Sequence, residues 1–195
     1  MFPMIDSIEI QKKSGMERFT GMNHTLLDFW SWAHSDIASN AERGKLAEYI
    51  VGCALQSHSP YRVEWDAVDI VSAEGIKVEV KSSAYLQTWK QRKLSTIQFD
   101  IAPKNAWDSE SNLYSDTKRR SADVYVFCLF ACKEAALANP LDLNQWEFYV
   151  LSTKVLDAQI PFQKSIGLAS LQNLGAEKVS FQHLHSAVLS AANRP

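Results

Sequence analysis

An acid and an amine two residues apart, Glu79 and Lys81, stand in the run Val78-Glu-Val-Lys81. In a strand alternate residues share a face, so Lys77, Glu79 and Lys81 point one way and Ile76, Val78 and Val80 the other. A carboxylate is a hard oxygen ligand for Mg²⁺, and an amine beside it orients a nucleophile or steadies a developing negative charge. That pairing is the chemistry of phosphodiester hydrolysis. The plainer reading is a solvated strand face on which the two charges merely pair, at roughly 0–1 kcal/mol.

A lone acid and amine need an opposing group before they can hold a cation. Ala73-Glu74-Gly75 supplies a glycine-containing turn between two alternating, β-branched runs, which reads as a hairpin. A three-residue turn sets Ser72 against Ile76 and Asp69 against Glu79, with Cβ atoms about 5 Å apart. Two carboxylates that close repel unless a cation lies between them. A two-residue turn would set Asp69 against Val80 and undo the arrangement. Asp66 competes for the same place, but a regular strand puts it on the face opposite Asp69. The three-residue turn selects Asp69 and leaves Asp66 exposed or capping a turn.

Upstream, Leu46, Ile50, Cys53 and Ala54 recur at helical spacing, and Glu48 sits amid that apolar run. A glutamate buried there needs a partner. Downstream, Gln87 follows Lys81 closely enough for a short turn or helix to bring its amide back over the hairpin. The order Glu48, Asp69, Glu79-x-Lys81, Gln87 resembles the PD-(D/E)XK, or restriction-endonuclease-like, nuclease superfamily. Its layout is most similar to Holliday-junction-resolvase-like members with a leading helical glutamate and to RecB-like members with a trailing glutamine. The resemblance covers about residues 40–130. Where the superfamily pattern has a proline before the aspartate, this chain has Val68.

The resemblance implies an α/β fold: a mixed four- to five-stranded sheet flanked by helices, with the metal at the edge of the central hairpin. It implies a Mg²⁺-dependent (or Mn²⁺-dependent) deoxyribonuclease, endonucleolytic in action. Asp69 and Glu79 would be metal ligands, Glu48 a further ligand through water, and Lys81 the group that positions the attacking water. Gln87 would orient Lys81 or the phosphate. The alternative is a catalytically silent nucleic-acid-binding module of the same fold, or one whose activity needs a partner.

The remaining elements fit that plan. Thr96–Ile101 alternates as a third strand ended by Pro103. Ala122–Ala131 is a near-continuous apolar run, as in a strand covered on both faces. Trp146–Leu151 reads as a fifth. The spacing predicts helices over Thr25–Ile37, Glu42–Leu55 and Phe181–Ala192, with two short ones starting near Ser152 and Gly167. Residues 1–195 then form a single domain: an N-terminal helical extension (1–39), a nuclease-like core (40–152) and C-terminal helices (153–195). Trp30, Trp32 and Phe29 read as core packing of the first helix, Trp89 and Trp107 as loop aromatics beside the site, and His58 as a turn residue.

At 195 residues and 46% hydrophobic, the chain suits one compact core. Met1–Ser7 lacks the basic start and apolar centre of a signal peptide, and no uncharged apolar run reaches about 18 residues. Cys53, Cys128 and Cys132 fall in apolar segments without metal-ligand spacing and read as reduced, buried thiols. A cytoplasmic protein without a membrane segment is the expectation. The net charge of −2 gives no overall attraction to DNA. Affinity for phosphates would come instead from two clusters, Lys90, Arg92 and Lys93 after Gln87, and Lys118, Arg119 and Arg120 before the apolar strand. If the field they make is weak, a homodimer or a partner protein would have to add to it.

Overall fold

Thr25 starts the first helix, α1 (Leu26–His34), through a reciprocal cap: its hydroxyl accepts from the Asp28 N–H, and the Asp28 carboxylate accepts from the Thr25 N–H. Ser39 caps α2 (Asn40–Ala54) by accepting from the Glu42 N–H. The computed structural model describes residues 8–57, 59–64, 66–108 and 113–193. The expectations attached to Met1–Ser7, His58 and the side chain of Trp107 lie outside these residues.

After α2 come β1 (Ile70–Val71) and β2 (Lys77–Ala84), joined by the expected three-residue turn. The Ser72 hydroxyl accepts from the Glu74 and Ile76 N–H groups, and Gly75 closes the turn at φ +83°, a region that favours glycine. Ile70 pairs with Val78 and Val71 with Lys77, so the hairpin has the register read from its sequence. Next follow β3 (Gln98–Asp100), the antiparallel hairpin β4 (Lys104–Asp108) and β5 (Leu113–Arg119), β6 (Val124–Phe130), β7 (Trp146–Ser152) and α3 (Thr153–Gln159). The chain ends with β8 (Ser165–Gly167), α4 (Leu168–Asn173), β9 (Glu177–Val179) and α5 (Leu184–Ala192).

Five strands form one mixed sheet in the order β1-β2-β6-β7-β9, in which β2 and β6 are parallel and the other neighbours antiparallel. Every residue of β6 is buried, as its unbroken apolar run requires of a central strand. On one face Val78, Val80, Val126 and Phe148 pack beneath α2 and α5. On the other, Phe127, Leu129, Tyr149 and Leu151 pack with Phe99, Leu156, Ile166 and Leu171. Glu79 and Lys81 belong to this second face, where Glu79 pairs with Tyr125 and Lys81 with Phe127.

Several expectations are corrected. Gln98–Asp100 forms a strand but leaves the main sheet and pairs with Ser165–Gly167. The fifth strand of the sheet comes from Glu177–Val179, too short to stand out by alternation. Helix α1 buries none of its residues, and Trp32 is 83% exposed. Trp30 rests instead on Gly15, where an added Cβ would lie 3.1 Å from its ring. Cys53 is exposed, while Cys128 is buried.

Arg120 is also not a DNA-facing cation. Its side chain is fully buried and donates to Asp157 at 2.5 Å and to the carbonyls of Ile101, Ile160, Pro161 and Gln163. A buried guanidinium satisfied by five acceptors is a structural clasp that ties α3 and its following loop to the β6 side of the fold.

Candidate active site

The β1–β2 hairpin pairs only over two residues, and that short ladder creates the site. Because β1 begins only at Ile70, opposite Val78, the backbone N–H of Val80 has no ladder partner on that side. The Asp69 carboxylate accepts that proton at 2.7 Å, so Asp69 is drawn against the edge of β2 at the level of Glu79. Asp66, three residues earlier, lines the same cavity as Asp69. It is exposed, and its carboxylate accepts from the N–H of Ala67.

Lys81 Nζ lies 2.5 Å from Glu79 Oε1, and the two side chains are 18% and 14% exposed. Lys104, at the start of β4, brings a second ammonium to 3.7 Å from the same oxygen. Burial first, and then the adjacent Glu79 charge, raise the Asp69 carboxyl to about 6, against the opposing pull of Lys81 and the Val80 N–H. Burial alone would lower the Lys81 ammonium, but Glu79, Asp69 and Asp100 together raise it above its ordinary value. Lys81 therefore carries its charge at neutral pH. A charged ammonium there can orient a water or stabilise an anion but cannot accept a proton.

Glu48 projects from α2 toward the same hairpin, and its charge contributes to raising Asp69. Both its oxygens are held by Arg62, at 2.6 Å from Nε and 3.2 Å from Nη2. Glu48, Asp69 and Arg62 line one cavity of about 530 Å³ together with Lys45, Tyr49 and Tyr61. Among the described residues, no group of three or more His, Cys, Asp or Glu side chains is gathered as a metal site. Asp69 and Glu79 feel each other's charge, and two carboxylates match the one or two that Mg²⁺ takes beside its waters and substrate oxygens.

Gln87 does not reach Lys81. Its amide donates to the Ala84 carbonyl and the Ser95 hydroxyl, each at 3.2 Å, while its Oε1 is buried without a hydrogen-bond partner. Gln91 completes the clasp by accepting from the Gln87 N–H and donating to Tyr85 O and Ser95 Oγ. The loop so closed turns Trp89, Lys90, Arg92 and Lys93 outward to solvent. Lys118 and Arg119 are exposed at the base of the β4–β5 hairpin, opposite Asn105 and Lys104.

Sequence reasoning missed Arg62 and Lys104. Neither stands in a motif, and both reach the site from loops or strand starts whose course alternation does not reveal. Among the described residues no helix is long and apolar enough to cross a membrane. Comparison with curated proteins gives no match. The family model described as bacteriophage T4 endonuclease IV matches residues 4–170, a span that holds the hairpin, its helix and both basic loops. By that match the chain belongs to the bacteriophage T4 endonuclease IV family, a family of DNA endonucleases.

Proposed function

We propose that the β1–β2 hairpin is the catalytic centre of a divalent-metal-dependent DNA endonuclease of the PD-(D/E)XK type. One observation carries the reading: Asp69 and Glu79 converge at the hairpin edge while Lys81 stands 2.5 Å from Glu79. Their hard oxygens suit Mg²⁺ or Mn²⁺, and burial first and Glu79's charge second raise Asp69, a cost that a cation between them would relieve. When bound, such an ion supplies Lewis-acid polarisation of a phosphate and an acidified water.

The chain's own residues do the rest. Asp69 and Glu79 would hold the ion, and Glu48 would be a further ligand through water. Lys81, charged and fixed by Glu79, orients the attacking water and offsets negative charge as it builds on the phosphate. Lys90, Arg92, Lys93, Lys118 and Arg119 offer phosphate contacts on the rim, with Trp89 among them as a surface for a base. Gln87 serves the site by fixing the loop that carries the first three.

A cleavage assay on linear, closed-circular, single-stranded and branched DNA, in Mg²⁺ or Mn²⁺ and in chelator, tests this reading. Opening of a closed circle with metal, and none with chelator, is expected. Undiminished cleavage in chelator, or intact DNA of every form with metal, would contradict it.

A further inference from the structure

Arg62 has no place in the motif that marks the site, yet it lines the cavity together with Glu48 and Asp69. It comes from the segment between α2 and β1 and grips both oxygens of Glu48, with 41% of its side chain exposed against 17% for its partner. It also feels the charge of Asp69. Lys45, the other cation on the cavity wall, is spoken for by Glu42 at 2.9 Å. A guanidinium fork that fits a carboxylate fits a phosphate equally well, because both offer two oxygens in one plane.

While Arg62 holds Glu48, neither carboxylate oxygen is free to turn to the hairpin. We propose that Arg62 is an exchange residue: it neutralises Glu48 in the DNA-free protein and passes its fork to a backbone phosphate when DNA enters the cavity. The exchange leaves Arg62 partnered throughout, while the freed Glu48 carboxylate, mostly buried, would need a cation beside it. It releases Glu48 to face Asp69 and Glu79 only when substrate is present. Arg62 is thus a phosphate-positioning residue, and Glu48 is its resting partner. The inference rests on the catalytic reading of the hairpin.

The test is binding of a short fluorescein-labelled DNA, single-stranded and duplex, in chelator across a salt series. Arg62→Ala is expected to weaken binding about tenfold and to reduce the salt slope by about one. Glu48→Gln is expected to do the opposite, tightening binding roughly threefold because Arg62 is no longer engaged. A purely structural ion pair would give losses in both variants and leave the slope alone. Equal affinity and slope in wild type and Arg62→Ala, or parallel losses in the two variants, would overturn the proposal. Because these measurements exclude metal, they stand apart from the cleavage assay, whose failure would count against the catalytic reading.

Discussion

Alanine at Lys81 is expected to lower DNA cleavage about a hundredfold at saturating substrate, with affinity for DNA nearly unchanged. The side chain is enclosed beside Glu79, and its neighbours hold it in the charged form, so its contribution grows as charge develops on the phosphate. Lys104, 3.7 Å from Glu79 and well exposed, is a poor substitute because it is longer-ranged and screened by solvent. The basic loops proposed to hold DNA lie elsewhere in the sequence. Single-turnover rates and separately measured dissociation constants distinguish the two effects, with far-UV circular dichroism as a check on folding. Cleavage by Lys81→Ala at the wild-type rate would remove Lys81 from the mechanism.

Asparagine at Asp69 is expected to stabilise the metal-free protein at pH 8 while abolishing its response to metal. The Asp69 carboxyl is raised from 3.8 to about 6 in the folded protein, first by burial and then by Glu79. A group raised in this way favours folding below its unfolded value, and that contribution is lost as pH climbs through the folded one. At pH 8 the ionised carboxylate therefore costs the fold on the order of 1–2 kcal/mol, which asparagine avoids while its amide oxygen still accepts from Val80. Thermal unfolding in chelator should place the variant about 5 °C above wild type at pH 8, with the gap closing below pH 4. Added Mn²⁺ should raise only the wild type. A variant no more stable than wild type at pH 8 would mean that Asp69 and Glu79 do not oppose each other as described.

The hairpin was legible because its physics is local. Gly75 allows one turn geometry, the turn fixes the register, and the register decides which of Asp66 and Asp69 meets the edge of β2. The buried run of β6 was equally plain, since only a central strand tolerates apolar residues on both faces. What lay hidden depends on contacts distant in sequence. Arg120 looks like one of three neighbouring cations, yet it alone turns inward, because carbonyls from the loop after α3 converge where its guanidinium can satisfy them. The aromatics of α1 suggest a core helix, but the sheet's faces are already filled by α2, α5 and the β3–β8 layer, and Trp32 is left outside. Arg62 stands 14 residues from Glu48, in a segment without periodicity, so nothing in the sequence joins the two.

The central claim is that Asp69 and Glu79 together hold a divalent cation. Titration of Mn²⁺ into the metal-free wild type and into Glu79→Ala, followed by calorimetry, addresses it without reference to any substrate. The account predicts saturable binding in the wild type that is lost in Glu79→Ala; equal binding by the two proteins would contradict it.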